Sequence, residues 1–217
     1  MNLNTIEEVR RADPRPGGTE WRDGDAWLAG GTWLFSEPQP HLRRLVDLAG
    51  FGWEPLTVSD AGLRIAATCK IAELNAFAPP PAWTAGPLIH RCCDAFLSSF
   101  KIWNAATVGG NICMSLPAGP MTSMAVGLEA TYEIWDANGQ PRLLDAAEFV
   151  TGNHANVLAR GEILRSVTLP ANALRKRGAF RRMSLTHLGR STALLIGTVD
   201  LDSGAFLLSV TAATVRP

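Results

Sequence analysis

The sequence predicts an α+β fold in two lobes, a small N-terminal α/β lobe over residues 1–52 and a larger lobe over 53–217 that carries an antiparallel sheet with flanking helices. Three observations predict it: short apolar strands running into glycines near the start, helix-spaced apolar residues through the middle, and successive strand-like runs toward the end. With 217 residues, 47% hydrophobic and 18% charged, the chain is long and apolar enough to bury a real core.

In order along the chain, Thr5 to Ala12 reads as an acidic, helix-like opening. A short apolar strand, Trp27-Leu28-Ala29, then runs into Gly30-Gly31-Thr32, and a second strand follows at Leu45-Val46-Asp47-Leu48. The lobe closes at Gly50-Phe51-Gly52. Leu63 to Ala67 alternates as a strand does, and Lys70 to Phe77 fits a short helix stopped by Pro79-Pro80-Pro81. From Pro87 to Phe100 the apolar residues recur at three- and four-residue spacing, as a partly buried helix requires. Met121 to Ala130 suggests another packed helix, followed by a strand at Thr131 to Trp135 and a turn at Asp136-Ala137-Asn138-Gly139. Four strand-like segments complete the chain, Ile163 to Leu169, Gly178 to Leu185, Ala193 to Leu201 and Ala205 to Ala213, with Asp202-Ser203-Gly204 as a hairpin turn. Together the four imply one antiparallel sheet.

Charge and composition exclude several functions. Lysine plus arginine and aspartate plus glutamate both number 20, so no long-range field draws nucleic acid or an anionic surface. No run approaches the roughly 20 apolar residues that cross a bilayer. Met1 to Asp13 is too acidic and polar for a signal peptide. The expectation is a cytoplasmic protein with no nucleic-acid partner and no membrane span. Cys69, Cys92, Cys93 and Cys113 lack C-x-x-C spacing, and the histidines at 41, 90, 154 and 187 are scattered. No protein metal site and no catalytic side-chain set is predicted.

Two glycine-containing segments carry the strongest local signal: Leu28, Ala29, Gly30, Gly31, Thr32, Trp33 and Leu34, and then Ala106, Thr107, Val108, Gly109, Gly110, Asn111 and Ile112. Backbone without Cβ atoms approaches a ligand closely, and successive amides form an anion-holding nest that needs no lysine. A pyrophosphate is the natural guest. Either segment alone reads as an ordinary turn; together they point one way. Neither is a G-x-G-x-x-G fingerprint or a P-loop, so a Rossmann site or a nucleoside triphosphatase is not supported.

The combination resembles the FAD-binding domain of molybdopterin dehydrogenases, the family of the carbon monoxide dehydrogenase medium subunit and the xanthine dehydrogenase flavin module. The likeness rests on Ala29-Gly30-Gly31-Thr32 and on Asn104-Ala105-Ala106-Thr107-Val108-Gly109-Gly110-Asn111-Ile112, with Trp103 where the family has arginine. It rests also on Gly161-Glu162-Ile163-Leu164 before Pro170, and on the final stretch from Leu201 to Pro217. These motifs stand in the family's order and cover nearly the whole chain. The resemblance implies a two-lobed PCMH-type fold with FAD between the lobes, its pyrophosphate on the two glycine segments. It places Leu164 against the ring system or adenosine, or else in the core, and Arg182 near the flavin carbonyls, or else on a solvated basic surface with Arg175, Lys176, Arg177 and Arg181. The implied function is that of a flavoprotein subunit that passes electrons from a molybdopterin-binding large subunit and a 2Fe-2S small subunit to an external acceptor. The other reading is a degenerate, non-flavin scaffold or partner-binding module of the same fold. Trp33, Pro120 and Ser191 stand where relatives carry small polar residues or aspartate, and these changes are expected to weaken flavin affinity. Relatives continue into a C-terminal domain that this sequence lacks, so the resemblance implies that it is dispensable or supplied by another polypeptide.

Overall fold

A computed structural model describes residues 4–15 and 17–217; Met1, Asn2 and Leu3, which begin the polar opening, and Pro16 lie outside the described residues. The first sheet is parallel and contains β1 (Glu8–Arg11), β2 (Asp25–Leu28) and β3 (Arg44–Asp47), in the order β1-β3-β2. The helix expected over Thr5 to Ala12 is therefore a strand. The run Glu7-Glu8-Val9-Arg10-Arg11 has no apolar stripe for a helix to bury, whereas pairing Val9 with Leu45 satisfies its backbone on β3. In the central strand, Arg44 is buried and held by Asp25 of β2, Nε to Oδ1 at 2.8 Å, while its Nη2 donates to the Glu20 carbonyl at 2.6 Å. The guanidinium beside Asp25 outweighs burial and keeps its carboxyl below the usual range.

A 3-10 turn over Leu48–Phe51 is capped by the Asp47 carboxylate, which accepts from the Ala49 amide at 2.9 Å. The chain then forms β4 (Leu56–Ser59), β5 (Gly62–Ala66) and the helices α1 (Ile71–Ala76), α2 (Pro87–Ala95), α3 (Phe100–Trp103), α4 (Val108–Cys113) and α5 (Pro120–Gly127). After them come β6 (Thr131–Trp135), β7 (Pro141–Asp145), α6 (Ala146–Phe149), β8 (Val150–Gly152) and β9 (Ala155–Asn156). The last elements are β10 (Ile163–Pro170), α7 (Ala171–Arg175), β11 (Arg177–Met183), β12 (Ala193–Val199) and β13 (Phe206–Thr211). The architecture is α+β, as the sequence predicts.

Two helices are shorter than their apolar patterns. α2 stops at Ala95, before Ser98-Ser99, whose hydroxyls compete with helical bonding, and α5 stops at Gly127 ahead of a left-handed Glu129 (φ 53°). The expected single C-terminal sheet is two. β10 is the middle strand of a five-stranded antiparallel sheet, β4-β5-β10-β6-β7, while β11, β12 and β13 form their own antiparallel sheet. The difference follows from burial: β10 is covered along nearly its whole length, and α7 then turns the chain away before β11 begins. Helices α4 and α5 fill the space between the two sheets, where Val108, Ile112, Met121 and Met124 meet Leu63, Ile65, Val167 and Ile196. Gly127 lets α5 approach β12, since a Cβ there would lie 2.6 Å from Ile196.

The joint between the first sheet and the rest is aromatic. Phe51 stacks on Trp53 at 4.6 Å and 8°, Trp135 meets both edge-on, and Arg165 lies 4.3 Å from the centre of the Trp53 ring. Arg165 stands at a bulge in β10 between Leu164 and Ser166, where the pairing with β6 slips by one residue. Among the described residues, no helix is long and apolar enough to cross a membrane.

Candidate functional site

A cleft of about 340 Å³ lies between the end of β2 and the start of α4. Its size is at the lower end of the range for cofactor sites. Leu28, Ala29, Gly30, Gly31, Thr32, Trp33 and Leu34 line one wall, and Ala106, Thr107, Gly110 and Asn111 line the other. Segments more than seventy residues apart in sequence, from Leu34 to Ala106, thus meet at one place. The contact is close: a Cβ on Gly30 would fall 2.0 Å from the Ala105 carbonyl oxygen. Lys70 Nζ donates to that same oxygen at 3.2 Å and pins it.

The two walls use their amides in opposite ways. Beyond Gly31, which is left-handed at φ 67°, the chain makes one helix-like turn closed by the Phe35 amide donating to the Gly31 carbonyl at 2.9 Å. Among the described residues, no protein acceptor is found for the amides of Gly30, Gly31, Thr32, Trp33 and Leu34. They are polarised donors beside a cleft, suited to an anion. In the second segment the Val108 amide donates to the Cys69 carbonyl and the Gly109 amide to the Ala67 carbonyl, both at 2.9 Å. The Gly110 amide donates to Thr107 Oγ1 at 3.0 Å, capping α4.

The expectation that both segments present bare amides is therefore corrected. The second segment is a capped helix start, because Thr107 is an N-cap followed by residues that bond to the loop after β5. What it offers the cleft is the Thr107 hydroxyl, the Asn111 side chain, whose Oδ1 accepts from the Met121 amide at 3.1 Å, and the Cβ-free surface of Gly110. Val108, Gly109 and Ile112 are buried behind the wall; Gly109 backs onto Ala67, which a Cβ would meet at 2.4 Å.

Two more expected residues lie elsewhere. Leu164, only 2% exposed, packs in the core and is absent from the cleft wall, because its position before the bulge turns it inward opposite Ile134. Arg182 on β11 is also outside the cleft: its Nε donates to Ser191 Oγ at 3.1 Å and its Nη2 to the Gly189 carbonyl, so it closes the β11–β12 loop. Ser191 thus has a structural partner. Pro120 begins α5, where a missing amide proton costs nothing.

Five lining residues were not read from the sequence: Trp27, Phe96, Cys113, Met114 and Leu116. Cys113 and Met114 follow Gly110 at helical spacing, so extending the motif by one turn would have found them. Trp27 directly precedes Leu28 on β2, whereas Phe96 is delivered by the end of α2 and leaves no local signal. Burial pushes the Cys113 thiol up to about 12, so it stays protonated at neutral pH.

Fold and cleft together suit an extended anionic ligand, with backbone donors and apolar walls and, among the described residues, no charged side chain lining the cleft. The comparisons make this specific. Residues 21–172 match the family described as FAD binding domain in molybdopterin dehydrogenase, and the chain belongs to that family. FAD is the family's cofactor. The chain is similar to xanthine dehydrogenase of Oryza sativa subsp. japonica, 32% identical over 121 residues, which are 53% of this chain and 9% of that protein. It is also similar to xanthine dehydrogenase 1 of Arabidopsis thaliana, 28% identical over the same shares. The aligned stretch thus spans about a tenth of these relatives' length. Among solved structures, reconstituted CO dehydrogenase from Oligotropha carboxidovorans shares the fold at a TM-score of 0.83 and 19% identity, covering 100% of this chain and 78% of that one. Quinoline 2-oxidoreductase from Pseudomonas putida 86 does so at 0.79 and 20%, covering 100% and 77%.

Proposed function

We propose that the cleft holds FAD, and that the chain relays electrons from a molybdopterin-binding large subunit and a 2Fe-2S small subunit to an external acceptor in the cytoplasm. The observation that carries the reading is the row of amides from Gly30 to Leu34, without a protein acceptor among the described residues, across the cleft from Thr107, Gly110 and Asn111. In this reading residues 1–52 supply one wall and residues 53–217 the other. The amides and the Thr107 hydroxyl bind the diphosphate, and the Asn111 side-chain amide is held in place by Met121 while its NH2 remains a donor. Trp27, Leu28 and Phe96 exclude water, which strengthens each of these polar contacts. When bound, the flavin supplies reversible one- and two-electron redox chemistry, and this chain supplies its binding and orientation.

Absorption spectra of the purified protein before and after adding FAD test the first half. Stoichiometric yellow flavin bands are expected, and they are expected to vanish in Gly31→Val and in Gly110→Val. Gly31→Val fails because the turn needs φ 67° and a Cβ would strike Phe35 at 2.4 Å; the Gly110→Val side chain meets only Thr107 Oγ1, at 2.9 Å from the Cβ, and extends toward the ligand. Flavin content unchanged in both variants contradicts the assignment. Co-purification with metal analysis of the complex tests the partners. One observation favours the scaffold reading: Trp33, a bulky ring, stands on the turn that carries the free amides. A wild-type chain that takes up no FAD but retains its partners would establish that reading instead.

A further inference from the structure

The turn that carries the free amides also carries Trp33, which is 41% exposed although it lines the cleft. Its indole lies 6.4 Å from the imidazole of His154, centroid to centroid, with the planes tilted by 40°. His154 stands behind the opposite wall, outside the residues that line it. It occupies the turn between β8 and β9, and that turn is tied to the end of α4: the His154 amide donates to the Ser115 carbonyl at 3.1 Å. Asn156 Nδ2 donates to the Cys113 carbonyl at 2.9 Å and to Ser115 Oγ at 3.1 Å. Cys113, Met114 and Leu116 line the cleft on either side of Ser115. The Trp33–His154 contact therefore joins one wall to the turn that braces the other at that end of the cleft.

The backbone beneath the contact is unusual. Ser115 and His154 are both left-handed, at φ 50° and 54°, a conformation that L residues rarely keep without surrounding support. Their mutual hydrogen bond and the Asn156 clamp supply that support, so the imidazole is held on a fixed arm. Trp33 is not so fixed. No hydrogen bond holds its indole among the described residues, and its partner contact is aromatic only. One side is an anchored post and the other a movable ring.

Resting on the FAD reading above, we propose that Trp33 and His154 form a latch over the cleft, which opens to admit an aromatic dinucleotide and slows its departure. The latch acts on exchange of the ligand, and the amides of Gly30 to Leu34 act on its charge. Removing either ring leaves the amides in place and speeds release. An aromatic pair of this kind changes the release rate by about three- to tenfold.

Stopped-flow release of FAD from the full chain, followed by flavin fluorescence, tests this with His154→Asn and Trp33→Leu. Asparagine tolerates the left-handed conformation, so the post keeps its backbone. Release is expected to rise several-fold in each variant, with association rising alongside it because entry also waits on the opening, and with no further rise in the double variant, because the two changes remove one contact. If each variant releases FAD at the wild-type rate, or if Trp33→Leu binds more tightly, the indole only crowds the cleft and the latch is wrong. If the two effects add in the double variant, the rings act separately and the latch is again wrong. A wild-type chain that takes up no FAD in the spectral titration would overturn the functional reading itself, which separates that failure from this one.

Discussion

The two glycine segments are alike in composition and opposite in use. At residues 29–34 the glycines free the backbone: Gly30 admits the Ala105 carbonyl, Gly31 takes the left-handed turn, and the amides that follow have no partner in the protein among the described residues. At residues 106–112 the glycines serve packing: Gly109 rests on Ala67, and the amides of Val108, Gly109 and Gly110 are all spent on Cys69, Ala67 and Thr107. A repeated glycine pair therefore marks close approach, and only the hydrogen-bond partners tell whether a ligand or another strand of chain is approached.

The contrast can be broken most severely at the seam. Gly30→Val drives a side chain into the Ala105 carbonyl, and overpacking against backbone is expected to cost roughly 3 kcal/mol. A thermal or denaturant melt would register this, together with loss of flavin; a wild-type midpoint would mean the walls do not touch there. Next in size is Thr107→Ala, which removes the cap of the second segment and is expected to destabilise by about 1 kcal/mol. Because this segment is structural, the melt should move even without FAD, and a shift seen only with FAD present would reverse the contrast. The smallest effect is acidic. Asp25, at the start of the strand that feeds the first segment, has a carboxyl held below its ordinary value, so its pairing with Arg44 stabilises above the unfolded value near 3.8 and is lost as pH falls through the lower folded value. Amide exchange below about pH 4 should accelerate in β2 and β3 before α4, which has no ionised partner. Equal acceleration in both would show that Asp25 does not govern the first wall.

Much of this was legible beforehand. The strand feeding Gly30, the strand at Leu45, the alternation of Leu63 to Ala67 and the hairpin at Asp202 to Gly204 all follow from period and turn chemistry, and the structure contains them. The meeting of the two segments was foreshadowed by motif order, which encodes proximity that local pattern does not. What escaped was set at long range. β1 is a strand only because β3 lies beside it, and Phe96 reaches the cleft only because α2 ends where it does. Leu164 was left open between the cofactor and the core, and only its pairing opposite the buried Ile134 decides for the core. The occupied amides of α4 were hidden because their acceptors at Ala67 and Cys69 lie about forty residues upstream of Val108 and Gly109.

The stacked Phe51 and Trp53, edged by Trp135 and topped by the Arg165 cation, occupy the stretch where a swivel between the halves would otherwise be placed. Rings packed flat against one another resist twisting, so this joint holds the first sheet firmly against the rest of the described chain. A guest then forfeits little freedom of the host on entry, and more of its contact energy remains as affinity.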